Sequence, residues 1–265
     1  MIGTSYEISR AGVLLVDPYN DFLSEGGKIW PRLKEVAQHV GLLENLRAVV
    51  TAARDAGIRV FVVPHRQWQP GDYDDWSHPN PTQRGIQERH SFAKGSWGGE
   101  WHPDLVPQDG DIVVKEHWAQ SGFANTDLDL LLRQHGITHV IVIGVLANTC
   151  IESTGRYAME LGYHVTLIRD ATAAFTAEML HAAHELNGPT LRARHHDDGR
   201  PPHGDSIGSI TAVIRIPDDH GSPIAGNVRN KPSTVETATP PMHEHSRRRP
   251  LPPHPVALAR PVQGR

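Results

Sequence analysis

Cysteine is almost absent from the chain. Cys150 is the single one in 265 residues, so no intrachain disulfide can form and a disulfide-stapled secreted scaffold is excluded. No apolar run approaches the roughly 20 residues needed to cross a bilayer. Met1 to Arg10 lacks a basic segment followed by an apolar one, so a cytoplasmic protein with no membrane partner is expected. Neither sign of charge dominates, with 26 basic against 30 acidic residues and a net charge of −4. That balance offers no global attraction to a polyanion, and no nucleic-acid partner is expected. Mean hydropathy is low, at −0.42, which predicts that part of the chain stays outside any core.

What is present is an alternation of strand-like and helix-like segments up to about residue 190. Gly12 to Val16, Arg59 to Val63, Ile112 to Val114, Val140 to Ile143 and His164 to Ile168 are short continuous apolar runs, as strands buried on both faces require. Between the first two, Val36, Val40, Leu43, Leu46, Val49 and Val50 recur at spacings of three and four, predicting one amphipathic helix over 33–57 that stops at Gly57. Thr126 to His135 and Ile151 to Leu161 have helical composition and are each followed by glycine. Parallel strands need crossover connections, so the order predicts an α/β fold: a doubly wound, mostly parallel sheet flanked by helices, with ligands bound at the strands' carboxyl ends.

Residues 67–109 break the rhythm, holding Trp68, Trp76, Trp97 and Trp101 among Pro, Gly and Asp. They predict a long loop over the strand ends, its rings either forming pocket walls or packing on one another. Twelve of the 21 prolines lie from Pro201 onward. The expected division is therefore a folded domain over 1–190 and a largely disordered Pro-rich tail over 191–265, with one strand at most over 209–216. Arg247 to Arg249 reads as a solvated charge cluster. GC-rich codons read one base out of phase near Thr190 would continue a compact domain, and a frame slip there is the expectation; resequencing the gene tests it.

Cys150 follows a strand and precedes a predicted helix. Unpaired N–H groups and the helix dipole at such a turn stabilise a thiolate and can hold an oxyanion, whereas a lone cysteine elsewhere is commonly an inert buried hydrophobe. A nucleophilic thiol needs a base and a nearby cation. Asp17 ends the first strand and Lys115 the third, although alone the one reads as a turn residue and the other as a solvated lysine.

Taken together, three segments carry a resemblance: Val16-Asp17-Pro18-Tyr19-Asn20-Asp21-Phe22, Lys115 ahead of Ser121-Gly122-Phe123-Ala124-Asn125-Thr126-Asp127-Leu128, and Gly144-Val145-Leu146-Ala147-Asn148-Thr149-Cys150-Ile151-Glu152-Ser153-Thr154. With Asp170-Ala171-Thr172-Ala173-Ala174, they resemble the isochorismatase-like cysteine hydrolases over residues 11 to about 190. The resemblance implies a parallel sheet flanked by helices, catalytic roles for Asp17, Lys115 and Cys150, a cis peptide between Val145 and Leu146, and an oxyanion held by the N–H groups of Leu146 and Cys150. Phe22, His65, Trp97, His117, Phe123 and Asn148 are the substrate-pocket candidates.

Two departures stand out. In many members the lysine lies four residues before the serine of the Ser-x-Phe motif, where this chain has His117. Residues 115 and 117 would share a strand face, so either could point at the site. Lys115 is favoured because a permanent cation suits the role. Zinc-dependent nicotinamidases of the family carry an Asp-x-His pattern after the second strand, whereas this chain has Pro64-His65-Arg66-Gln67. No catalytic metal and no cofactor are expected. The implied activity is thiol-dependent hydrolysis of a C–N bond in a small molecule, either a small amide or ureide or a streptothricin-type lactam. The alternatives are an isochorismatase-type vinyl-ether hydrolase that needs no thiol, and a non-catalytic binding module. A homo-oligomer is expected by resemblance.

Overall fold

The computed structural model describes residues 8–191. The expected tail, its strand over 209–216, the arginine cluster and the frame slip's continuation lie outside the described residues, apart from Leu191, which is buried.

Five strands form one sheet: β1 (Ala11–Val16), β2 (Arg59–Val63), β3 (Ile112–Val113), β4 (His139–Val145) and β5 (His164–Ala173). Their order is β3-β2-β1-β4-β5 and every pairing is parallel. β1 is central and buried along its whole length, which is why its sequence is apolar without alternation. Its side chains still divide by face. Val13 and Leu15 join Val60, Val62, Ile141 and Ile143 in one core, while Leu14 and Val16 join Phe61, Val63, Val140 and Val142 in the other. The helices α2 (Trp30–Val40) and α3 (Leu42–Asp55) cover the first face with Leu33, Leu46, Val49 and Val50. On the second, α5 (Leu128–Gln134) and α6 (Glu152–Glu160) contribute Leu128, Leu132 and Ala158. Each fully buried aliphatic side chain contributes about 1.5–3 kcal/mol, so the sheet is held chiefly by this double covering. The short α1 (Asn20–Leu23), α4 (Pro81–Arg89) and α7 (Ala177–His181) complete the helices.

Four departures from the sequence expectation stand out. The single helix expected over 33–57 is two, because Gly41 adopts φ 67° and ψ 35°, a left-handed cap whose N–H bonds back to Ala37 and Gln38. Residues 67–109 are not one irregular loop, since α4 lies within them. Asn80 accepts from the Gln83 N–H at 3.0 Å and the Gln83 side chain accepts from the Asn80 N–H at 2.9 Å, a reciprocal capping box ahead of Pro81. The Asn-Pro-Thr-Gln sequence at 80–83 carried that signal. Finally, β3 stops at Val113, one residue early, and the helix expected from Ile151 begins with a π-helical turn, Ala147–Ile151.

Candidate active site

Parallel pairing brings the carboxyl ends of the strands to one edge. Val16 is opposite Val63 of β2 and Gly144 of β4, so the residues that follow β1, β2 and β4 emerge together. Asp17 directly follows β1 with φ 55°, a left-handed conformation that aspartate tolerates better than most residues. Its N–H still bonds to the Val63 carbonyl, at 3.1 Å. Across β1, Gly144 has φ 116°, and an added Cβ there would strike the Val16 carbonyl oxygen, so β1 and β4 approach this closely only with glycine at 144. The Val145–Leu146 peptide that follows is cis.

The chain after β3 returns to the sheet as an isolated parallel bridge between His65 and His117. This break in the ladder separates residues 115 and 117, which the sequence placed on one strand face. His117 is fully buried and its Nε2 lies 3.1 Å from Asp17 Oδ1, with the nitrogen donating to the carboxylate. Lys115 is exposed. Its backbone N–H donates to Asp127 Oδ1 at 2.8 Å, and its side chain lines a cavity of about 600 Å³ together with Tyr19, Arg66, Trp101, Glu116 and Trp118. The structure therefore brings His117, not Lys115, to Asp17.

Cys150 sits in the π-helical turn and is buried. One donor atom each from Asp17, His117 and Cys150 lie within 4.8 Å of one another. Burial first, and then the charge of Asp17, push the Cys150 thiol well above its usual range; contacts with Thr149 and Leu146 offset this in part. The expected helix-terminus stabilisation of a thiolate is thus opposed by burial and by Asp17, both of which favour the thiol. Both Thr149 and Ile151 N–H groups bond to the Leu146 carbonyl at 3.1 Å, which fixes the turn that presents the sulfur.

His65 packs its ring against His117, with centroids 4.9 Å apart, and against Phe92 at 5.6 Å. Its Nδ1 donates to the Arg66 carbonyl at 3.0 Å. Burial, and then repulsion from His117, lower its pKa to about 4, with Asp17 opposing. Phe22 is buried and stacked on Phe92 at 4.8 Å. Phe123 is buried in the other core, stacked on Tyr157 at 5.8 Å. Asn148 is half-buried, with a buried Oδ1 that has no partner. Trp97 is half exposed, and Asn20 holds its carbonyl at 2.9 Å. Of the four loop tryptophans, Trp101 stacks on Tyr19 at 4.9 Å and lines the cavity that Lys115 also lines, while Trp68 stacks on His90 at 3.8 Å. Both functions expected of these rings, wall and packing, are present.

Two residues of the motifs do structural work that the sequence did not reveal. Asp21 is buried and accepts the N–H groups of Lys28 at 2.9 Å and Phe92 at 2.7 Å, tying two loops beside the site. Thr154 of α6 accepts the Gly122 N–H at 2.9 Å, so the segment after His117 is fastened to the helix that follows Cys150. The Asp21–Phe92 and Thr154–Gly122 contacts join residues tens of positions apart and leave no local pattern to read.

With this geometry in view, comparison with known proteins gives a consistent class. The isochorismatase domain family matches residues 11–191, and the chain belongs to that family. It is 34% identical over 179 residues to the ureidoacrylate amidohydrolase RutB of Yersinia enterocolitica, covering 63% of this chain and 77% of that one. The RutB of Variovorax paradoxus is 33% identical over 196 residues, covering 69% and 72%. Among solved structures, N-carbamoylsarcosine amidase from Thermoplasma acidophilum aligns with a TM-score of 0.50 and 27% identity, covering 68% of this chain and 93% of that one. A cysteine hydrolase from Pseudomonas syringae pv. phaseolicola aligns at 0.54 and 25%, covering 79% and 84%.

Proposed function

We propose that this protein is an amidohydrolase that cleaves a C–N bond other than a peptide bond, using Cys150 as nucleophile and passing through a thioester. The observation that carries this reading is the buried convergence of Asp17, His117 and Cys150 at the strand ends. Burial favours the neutral thiol, so the nucleophile needs a base beside it to accept the proton, and Asp17 is that base. The Cys150 sulfur then attacks the substrate carbonyl, and the developing oxyanion is met by the N–H groups of Leu146 and Cys150. Asp17 returns the proton to the departing nitrogen. It next takes a proton from the water that opens the thioester. His117, donating to Asp17 Oδ1, orients the carboxylate through both steps and takes the role the sequence reading assigned to Lys115.

The substrate class favoured is a small carbamoyl or ureido compound. Support comes from the relatives, one kind acting on ureidoacrylate and another on N-carbamoylsarcosine. A streptothricin-type lactam has no such support and belongs in the panel as a contrast.

Product formation by mass spectrometry from ureides, linear amides, a streptothricin lactam and isochorismate tests this, with Cys150→Ala and Asp17→Asn assayed in parallel. Thiol-dependent release of ammonia or carbamate from a ureide is expected, with loss of at least about 10³-fold in either variant. Turnover of isochorismate that survives Cys150→Ala would instead establish the vinyl-ether reading.

A further inference from the structure

The same three side chains are chemically a metal-ligand set. They offer one thiol sulfur, one imidazole nitrogen and one carboxylate oxygen, within 4.8 Å of one another and all buried. Divalent zinc takes S, N and O donors at about 2.3, 2.0 and 2.1 Å in tetrahedral array. Donors around such an ion lie about 3.3–3.7 Å apart, so closure by roughly an ångström of side-chain rotation suffices. A second observation points the same way. Asp17 is fully buried; Oδ1 is taken by His117, Oδ2 receives no N–H or O–H donor, and the carboxylate's one other donor is the Cys150 thiol. A buried carboxylate oxygen with only a weak thiol donor is poorly satisfied, and a cation would satisfy it. An imidazole at 117 can turn a lone pair to the ion, which an ammonium there could not do.

We propose that Asp17, His117 and Cys150 bind one thiophilic divalent cation, and that its binding silences the site. Sulfur–metal, nitrogen–metal and oxygen–metal bonds form; the thiol proton is released to solvent, the His117 Nε2 proton gives way to one on Nδ1, which has no partner of its own, and no oxidation state changes. The fourth position stays open to water. This ion is inhibitory and not catalytic, because it occupies the nucleophile and the base at once. Binding stands on the geometry alone; inhibition rests on the hydrolase reading above.

The test is titration of the full chain with Co²⁺ in a non-thiol reductant, followed by competition with Zn²⁺. Because Cys150 is the single cysteine, a thiolate-to-cobalt charge-transfer band in the near ultraviolet reports this site alone, whatever the 18 histidines bind. One equivalent should develop that band together with tetrahedral d–d bands. Cys150→Ala should abolish the band, and His117→Lys should weaken binding at least tenfold. Circular dichroism should show both variants folded, with His117→Gln standing in if the lysine variant is not. Zn²⁺ should also protect Cys150 from iodoacetamide in the wild type. Absence of the charge-transfer band, or unchanged affinity in both His117 variants, overturns the site. A band without any hydrolase activity leaves the site standing and removes the inhibitory role. Activity unaffected by one bound equivalent overturns the inhibition.

Discussion

Protonating His65 should destabilise the folded protein as pH falls from about 6.5 to about 4. The ring is buried, packed between Phe92 and His117, and its pKa falls from an ordinary 6.5 to about 4. Between those values the unfolded chain binds a proton that the folded chain refuses. Stability is therefore full above about pH 6.5, declines as pH falls, and reaches its full loss below about pH 4. A difference of this size corresponds to about 3 kcal/mol, a large part of the 5–15 kcal/mol typical of a domain. Carboxylates titrate across the same range, so the contribution must be isolated by difference. Urea unfolding at pH 7, 6, 5 and 4 should be measured for the wild type and for His65→Gln, which can keep a donor toward the Arg66 carbonyl but cannot take up the proton. The wild type should lose about 3 kcal/mol more than the variant between pH 7 and 4. Parallel losses, agreeing within about 0.5 kcal/mol, would show that His65 is not held neutral by its surroundings.

Two further outcomes follow from the site. Asp17→Asn removes the charge that, after burial, raises the Cys150 thiol, so the thiol pKa should fall and alkylation by iodoacetamide at pH 8 should be faster than in the wild type. Equal or slower alkylation would mean that Asp17 does not act on the sulfur. Gly144→Ala should cost at least about 3 kcal/mol, since a Cβ there meets backbone of the central strand and φ is 116°; a thermal midpoint within 2 °C of the wild type would refute that packing.

The sequence by itself determined the layers. Apolar runs without alternation can be satisfied only by burial on both faces, and crossover helices between them leave parallel pairing as the solution, so β1, β2, β4 and β5 were legible strand by strand. The positions of Asp17 and Cys150 at those ends were legible too, because each follows a readable strand. What the tertiary structure decided was which of positions 115 and 117 joins them. Residues 115 and 117 have the same parity, and parity places both on one face only while a strand continues. β3 stops at Val113, and the chain is caught again by a bridge to His65, a pairing partner 52 positions away in sequence. That non-local contact turns His117 inward and leaves Lys115 at the surface. The state of Cys150 was likewise beyond local reading. A turn before a helix favours the thiolate, whereas burial and a carboxylate from another strand favour the thiol, and only the packed sheet sets those two influences side by side.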